Sequence, residues 1–298
     1  MAHILAIHGV APNVDRSRFS FRNMSDMDQL RDFLSTAPRF VALPEALAGR
    51  GHALTIDDAT RGAADAALLA RELGHDVSVF VNPEQVESGT PHSFLVLNVL
   101  LDNLDGQPCE FESASFPTAT RANRQTLRRK IKTMLAAVAT ELGRRELVTG
   151  LAKRWRVQLP ESPPHFQTLR KRDLLDLRDA GVDLQNHGWS HCDHAFLAME
   201  DSAREVREGR TWLRRELGVD APYFAVPFGE ALPRAGAAES CEAWFTVTAS
   251  RSPGLLAPGV FNRSELDPVL WRGTVRPFGG AVRWSRRGWR RLLELLRA

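Results

Sequence analysis

The chain has 298 residues, of which 43% are hydrophobic and 25% are charged, a balance that suits one large globular domain. It contains no run of about 18 apolar residues, which predicts no membrane span, and its three cysteines include no CxxC pair, which argues against a disulfide framework. The net charge of +3 is concentrated at residues 272–298, which hold eight Arg and one Glu, and the remaining mildly acidic body argues against a nucleic-acid-binding protein.

Strands and helices alternate over the first 82 residues. No basic leader precedes the opening strand at residues 3–8, so we predict a strand there and not a signal peptide, and we expect a cytoplasmic protein. The elements predicted next are a helix from about Ser25, a short strand at 40–43, a brief helix at 44–47, a strand at 52–56, a helix at 62–73 and a strand at 77–81. This alternation predicts parallel βαβ units in an α/β barrel or a doubly wound sheet, with functional loops at the carboxyl ends of the strands.

The alternation stops between about residues 83 and 165. Because this segment carries an apolar stretch at 94–101 and a basic helix at about 126–142, we predict a largely helical insertion over the strand ends, with a decoration remote from the chemistry as the alternative. Further along the chain we predict a helix at 172–180, a strand at 182–184, a helix at 202–217 that begins with a Ser202–Glu205 capping box, and strands at 223–226, 245–248 and 269–272.

Two polar clusters follow predicted strands. Asp57 and Asp58 are adjacent carboxylates that repel each other, which favours a cation or a proton-transfer task at this point, although they could also cap the helix that begins near Arg61. His187 and His191 lie four residues apart in a glycine-containing turn, a spacing that lets two imidazoles bind one ion. Together the clusters offer one carboxylate and two imidazoles to a divalent ion, which could be zinc, cobalt, nickel or manganese.

Three motifs resemble those of a known family. TIDDA at 55–59, NHGWSH at 186–191 and FAVPFG at 224–229 are similar to three motifs of the polysaccharide deacetylases, the NodB-homology carbohydrate esterases. The resemblance implies a single catalytic domain over residues 1–298, folded as a distorted (β/α)7-type barrel with the insertion at about 83–165. It also implies that Asp58, His187 and His191 bind one divalent metal, with zinc as the first expectation, and that Asp57 is the catalytic base.

The catalytic acid implied by the resemblance is His8. Family members commonly use a late histidine, but no histidine follows His194, and LAIHGV resembles the opening of a circularly permuted branch whose acid histidine comes first. A core histidine is the alternative for His8, and His194 is a weaker candidate for the acid. The family also places the backbone amide of Phe228 against the developing oxyanion, with Pro227 in the same wall, while Trp189 could stack on a sugar ring or pack in the core.

Two positions depart from the family pattern. Gly188 follows the first motif histidine, where Ser or Thr is common. Ala225 stands where the third motif usually has an arginine that orients the catalytic aspartate. The implied function is metal-dependent hydrolysis in which a metal-activated water removes an N-acetyl or other small acyl group from an amino sugar or a glycosylated small molecule. A hydrolase of a linear or cyclic non-sugar amide, and a catalytically silent sugar-binding relative, are the alternatives.

The C-terminal segment at about 282–298 interleaves Trp and Leu with Arg. This pattern predicts a basic amphipathic helix, which could make peripheral contact with a membrane or dock on the barrel with its arginines outward.

Overall fold

A computed structural model describes residues 3–233, 236–248 and 253–265. The strand predicted at 269–272 and the helix predicted at about 282–298, which could contact a membrane or dock on the barrel, lie outside these residues. In the described ranges, no helix is both long and apolar enough to cross a membrane.

Short strands and longer helices alternate along most of the described chain. The strands are β1 (Ile4–Ile7), β2 (Val10–Ala11), β3 (Ser25–Asp26), β4 (Ala53–Ile56), β5 (Val77–Val81), β6 (Cys109–Phe111), β7 (Ala114–Phe116), β8 (Asp183–Asn186), β9 (Tyr223–Ala225), β10 (Ala243–Thr246), β11 (Gly254–Ala257), β12 (Val260–Asn262) and β13 (Ser264–Glu265). The α-helices are α1 (Met27–Thr36), α2 (Leu43–Leu47), α3 (Arg61–Glu72), α4 (Pro83–Ser88), α5 (Ser93–Asp102), α6 (Arg121–Ala136), α7 (Glu141–Arg154), α8 (Lys171–Asp179) and α9 (Met199–Leu217). Single 3₁₀ turns occur at Phe19–Phe21, Pro164–Phe166 and Ala238–Ser240.

The central sheet is parallel and closes on itself. Its strands pair in the order β12, β10, β9, β8, β5, β4, β1 and β13, and each of these pairings is parallel. Only Arg263 separates β12 from β13, so one short segment pairs with β10 at its start and with β1 at its end. This segment joins the two edges of the sheet into a seven-stranded barrel, with β11 added antiparallel to β12. The predicted α/β barrel class is confirmed.

Helices cover the outside of the barrel because their apolar faces pack against the buried strands. Both faces of β4 and β5 are buried, as expected for strands inside a parallel sheet. Alanines such as Ala63, Ala66 and Ala67 line the inner face of α3, and their small side chains let this helix lie close to the sheet. Leu213 of α9 joins the same core.

The segment between β5 and β8 has an apolar core of its own. Helices α5, α6 and α7 and the β6–β7 hairpin bury Leu97, Phe111, Ile131 and Val148 in one cluster, to which Phe19 of the N-terminal loop also contributes. The basic helix predicted at about 126–142 is in fact two helices, because α6 ends at Ala136 and Thr140 caps α7 by accepting a hydrogen bond from the Gly143 N–H.

Three local predictions are wrong for identifiable reasons. Helix α1 begins at Met27, capped by Asp26, and not at about Ser25, because Ser25 belongs to β3, which pairs with β2. Residues 40–43 form no strand. The helix expected to begin at Ser202 begins at Met199, and its Glu205 makes contacts outside the helix that are described below.

Candidate metal centre

The carboxyl ends of four barrel strands bring the candidate site residues to one cavity. Asp57 and Asp58 follow β4, His187 follows β8, His8 follows β1 and Phe228 lies just beyond β9. The cavity has a volume of about 260 Å³, and these side chains, together with that of His191, line it. Parallel strands place their carboxyl ends at the same end of a barrel, and for this reason residues far apart in the sequence meet there.

Asp58, His187 and His191 form a compact set of metal donors. One oxygen of Asp58, Oδ1, lies 3.4 Å from Nε2 of His187 and 3.2 Å from Nε2 of His191. One ligand atom from each residue lies within 4.8 Å of the other two, and all three residues are buried. The spacing and the oxygen–nitrogen donor set suit a divalent transition-metal ion.

The hydrogen bond of His187 tests whether this set fits a cation. Its Nδ1 lies 2.7 Å from the carbonyl oxygen of Ala225. Because a carbonyl only accepts, Nδ1 carries a proton, and a neutral ring then directs its Nε2 lone pair at the Asp58 carboxylate. An Nε2 lone pair and a carboxylate oxygen that face each other in a buried site repel each other unless a positive charge lies between them, either a proton on Nε2 or a metal ion. A second ring nitrogen fixed by a backbone carbonyl is also the usual arrangement of a histidine that binds metal.

The ionisation of Asp58 and His191 suits metal binding, whereas His187 must lose a proton to bind a metal ion. Burial raises the pKa of the Asp58 carboxyl, but the hydrogen bonds from His187 and His191 outweigh burial and hold this pKa well below its usual range. Burial lowers the pKa of His191 to about 3, so this ring is neutral at physiological pH. Burial lowers the pKa of His187, but its hydrogen bond to Asp58 and the charges of Asp57 and Asp58 outweigh burial and raise this pKa. An ionised Asp58 and a neutral His191 can therefore bind a metal ion directly, whereas His187 binds it by giving up the proton on Nε2.

The backbone around the cavity is held in an uncommon conformation. Asp58, His191 and Phe228 have φ angles of 75°, 57° and 62°, in the left-handed region that residues with a Cβ seldom adopt. Strain of this kind persists where the surrounding structure enforces it, and it occurs most often at functional sites. In this cavity the strained residues are two of the metal donors, Asp58 and His191, and one residue of the cavity wall, Phe228.

The adjacent carboxylates are not helix caps. Thr60 caps α3, because its side-chain oxygen accepts a hydrogen bond from the Ala63 N–H at 3.3 Å. Asp57 is instead paired with Arg263, whose Nη1 and Nη2 donate to its two carboxylate oxygens at 2.7 Å each. Burial raises the pKa of Asp57, but the charge of Arg263, the charge of His187 and the hydrogen bonds from Arg263 together outweigh burial and leave this pKa below its usual value. The carboxylate is therefore ionised and fixed in orientation.

Arg263 is a residue that the sequence interpretation missed. It lies between β12 and β13 and is 2% exposed, and it supplies from the closing strand the guanidinium that the family has at the position of Ala225. The sequence pattern predicts the last strand at 269–272, and it therefore predicts no site residue at 260–265. The sequence does contain one sign of this strand. Phe261, Arg263 and Glu265 are every second residue of one short segment, and such residues lie on the same face of a β-strand.

Glu265 was missed for the same reason and lies beside His8. Its Oε1 is 3.6 Å from the Nδ1 of His8, and both residues line the cavity. Burial raises the pKa of Glu265 to about 7, against the opposing effect of His8. His8 is partly buried, with a side chain 21% exposed, so the alternative of an enclosed core histidine does not describe it.

A second set of hydrogen bonds holds the loop that carries His191. Glu205 of α9 accepts from the backbone N–H of Ser190 at 2.8 Å and from its hydroxyl at 2.9 Å. This contact, and not a capping box, is what Glu205 provides. His194 lies outside the cavity lining, with Nδ1 2.8 Å from the Ser202 hydroxyl and its ring against Trp244.

Of the three residues predicted to contact substrate, the structure brings only Phe228 to the cavity. Pro227 is buried and Trp189 is partly buried, and neither lines it. Trp189 packs against the main hydrophobic core and therefore takes the packing role named as its alternative. Phe228 lies in the wall with Lys132 Nζ 4.9 Å from the centre of its ring, and Phe94 stacks on His191.

Comparison with known proteins places this geometry among related folds. A family model described as polysaccharide deacetylase matches residues 47–242. Among solved structures, the Streptococcus pyogenes deacetylase PplD in complex with acetate is similar at 12% identity, with a TM-score of 0.55 and 90% of this chain and 92% of that one covered. IcaB from Ammonifex degensii is similar at 16% identity, with a TM-score of 0.50 and 100% and 97% covered. BC0361, a polysaccharide deacetylase from Bacillus cereus, is similar at 10% identity, with a TM-score of 0.54 and 98% and 68% covered. At sequence identities this low, the structural similarity shows a shared fold and nothing more. No curated protein sequence matches the chain.

Proposed function

The chain belongs to the polysaccharide deacetylase family, and on that basis we propose that it is a metal-dependent deacetylase that removes an N-acetyl or other small acyl group from an amino sugar or a glycosylated small molecule. The observation that carries this proposal is the pair of adjacent carboxylates with two distinct partners. Asp58 faces His187 and His191, while Asp57 is paired with Arg263. Metal binding and proton transfer are thereby assigned to different carboxylates in one cavity.

Asp58, His187 and His191 are the residues that would hold the metal. Bound there, a divalent ion such as zinc, cobalt, nickel or manganese would polarise the amide carbonyl and lower the pKa of water. The protein holds two of these donors in place through His187 Nδ1 and through the Glu205 contact with the histidine loop. It also excludes bulk water, since all three side chains are buried.

Asp57 is the general base of the proposed reaction. Its carboxylate would take a proton from the attacking water, and Arg263 keeps it ionised and oriented for this transfer. The backbone N–H of Phe228 would donate to the oxygen of the amide as negative charge develops there, a role drawn from the family pattern. The left-handed backbone at Phe228 contributes to the orientation of this peptide.

His8 is the general acid of the proposed reaction, as in the permuted branch of the family. It would donate a proton to the amine nitrogen as the C–N bond breaks, with Glu265 beside its ring. We expect His8→Gln to lower the rate of amide hydrolysis by roughly 10²-fold or more. The same variant should retain most of its activity on 4-nitrophenyl acetate, because a nitrophenolate leaves without a proton. Equal losses on both substrates would contradict the assignment.

Acetate release by the metal-loaded protein tests the proposed function. The substrates are N-acetylglucosamine, short N-acetylglucosamine oligomers, simple acetanilides and a cyclic amide, each with and without a chelator. We expect chelator-sensitive acetate release from the sugars in preference to the other amides. Preference for the acetanilides or the cyclic amide would favour a non-sugar amide hydrolase, and absence of turnover on every substrate would favour a silent sugar-binding protein. The cytoplasmic location stays a prediction.

A further inference from the structure

Three basic side chains line the same cavity as the metal donors. Arg22 comes from the N-terminal loop, and Arg128 and Lys132 come from α6 of the insertion. The two residues of α6 are four positions apart and therefore lie on one face of that helix. The neighbouring residues Leu127 and Ile131 of the same helix pack into the apolar core of the insertion.

Among the residues that the structure describes, two of these cations have only neutral partners. Arg128 is 5% exposed, and its Nε donates to Oδ1 of Asn98 at 2.7 Å. Lys132 places Nζ 4.9 Å from the centre of the Phe228 ring. Within residues 3–233, 236–248 and 253–265, neither forms an ion pair with a carboxylate. Of the acids that line the cavity, Asp57 pairs with Arg263, Asp58 faces the two histidines and Glu265 lies beside His8. Glu230 lines the cavity as well.

Holding these cations together without a bound anion is unfavourable. Burial, together with the charges of Arg128 and Arg22, lowers the pKa of Lys132 to about 8, against weak attraction from Asp193 and Glu265. Burial likewise lowers the pKa of Arg128 to about 9. Buried charges in folded proteins are normally paired or replaced, because an unpaired one destabilises the folded state. An anion that enters the cavity from solution would neutralise these positive charges, so the three basic side chains are suited to bind one.

We propose that Arg22, Arg128 and Lys132 form an anion subsite that binds a phosphate or carboxylate group of the substrate beside the metal centre. The inference rests on the proposed function, and it narrows the substrate class to acylated amino sugars that carry a negative charge. The cavity volume of about 260 Å³ suits this class, since it is close to the lower end, roughly 300 Å³, of pockets for small molecules. Planar guanidinium groups and an ammonium are the usual protein ligands of such oxyanions.

Binding of inorganic phosphate to the full-length protein tests the subsite without any requirement for turnover. We expect Lys132→Met to weaken phosphate binding about tenfold or more, and Arg128→Met/Lys132→Met to weaken it further. The matched control Lys130→Met changes an exposed lysine of the same helix and should bind as the wild type does. The variant Asp58→Asn removes a metal donor and should also keep phosphate binding. Loss of binding in Asp58→Asn with no effect of Lys132→Met, or no binding to the wild type, would overturn the proposal.

Thermal melting without ligand separates a binding role from a structural one. If Lys132 is held for a ligand, Lys132→Met removes an unpaired charge and should raise Tm by about 2 °C. Lys130→Met should leave Tm unchanged. A fall in Tm for Lys132→Met alone would indicate a structural lysine and would contradict the subsite.

Substrate preference gives the third test and identifies the source of the charge. Acetate release is compared for N-acetylglucosamine 1-phosphate, N-acetylmuramic acid and neutral N-acetylglucosamine. We expect kcat/KM for at least one charged substrate to exceed that for the neutral one by about tenfold, and Lys132→Met to remove the difference. Equal kcat/KM values for charged and neutral sugars would contradict the subsite. No turnover of any substrate, with phosphate binding intact, would count against the proposed deacetylase activity while phosphate binding itself still supports the subsite.

Discussion

Replacement of Asp57 by asparagine is expected to lower kcat by about 10²- to 10⁴-fold while the metal content of the protein stays at the wild-type level. The reason is that Asp57 and Asp58 are assigned different tasks although they are adjacent. The asparagine side chain keeps the shape of the aspartate but cannot accept a proton at neutral pH, whereas the donors Asp58, His187 and His191 are unchanged.

The measurement combines acetate release with elemental analysis on one preparation. Because Arg263 then lacks a buried counter-charge, Asp57→Asn should also lower stability, and removal of one partner from a buried ion pair typically costs about 3–5 kcal/mol. Assays are therefore made well below the melting transition of the variant. Full activity in Asp57→Asn, or loss of metal together with activity, would show that this residue is not a separate base.

Replacement of Arg263 by glutamine is expected to reduce kcat at neutral pH about tenfold or more and to move the acid limb of the pH profile to higher pH. In the wild type, the charge of Arg263, the charge of His187 and the hydrogen bonds from Arg263 together outweigh burial and keep the pKa of Asp57 below its usual value. Without Arg263, burial dominates and the pKa rises, so the base is protonated over more of the acidic range. A positional effect adds to this, because the two hydrogen bonds that orient the carboxylate are lost.

The pH profile of kcat separates these effects from simple unfolding. Arg263→Lys keeps the positive charge but cannot form the two parallel hydrogen bonds to Asp57. We therefore expect the acid limb of this variant to lie close to that of the wild type, while its kcat stays lower than that of the wild type. Arg214→Gln, which removes an exposed arginine of a surface ion pair, is the matched control and should leave the profile unchanged. An unshifted acid limb in Arg263→Gln would contradict the pairing with Asp57.

The stability of the folded protein should also depend on pH through the Asp57–Arg263 ion pair. A carboxylate whose pKa is depressed in the folded state stabilises the protein above its unfolded pKa, and this stabilisation is lost as pH falls through the folded value. The Asp57–Arg263 pair therefore contributes at neutral pH and weakens on strong acidification.

The metal donors could be found from the sequence because their spacing is local. His187 and His191 lie in one turn, and Asp57 and Asp58 follow a strand that is apolar throughout, so each cluster is visible before the fold is known. That the two clusters meet follows from parallel strands with their carboxyl ends at one end of a barrel.

Arg263 and Glu265 could not be found in the same way. Their strand is short, and its Asn, Arg and Ser residues have low or neutral preference for strands, so local composition does not identify it. The strand exists because it completes the barrel between β10 and β1, which is a long-range requirement. The loss of the family arginine at Ala225 was visible in the sequence, but its replacement depends on tertiary structure.

The insertion illustrates a related limit. Its basic helix was expected from composition, yet many of its cations are exposed, and only the docking of α6 decides that Arg128 and Lys132 face the cavity while Lys130 faces solvent. Helical periodicity groups the first two on one face but does not say against what that face packs.

Elemental analysis of purified protein, after reconstitution with zinc, cobalt, nickel or manganese, tests the central claim most directly. The comparison is between the wild type, His187→Ala/His191→Ala and the control His194→Gln, which changes a nearby histidine outside the donor set. The account predicts close to one divalent ion per chain in the wild type and in the control, and none in the double variant. Absence of metal from the wild type, or the same content in the double variant, would contradict it.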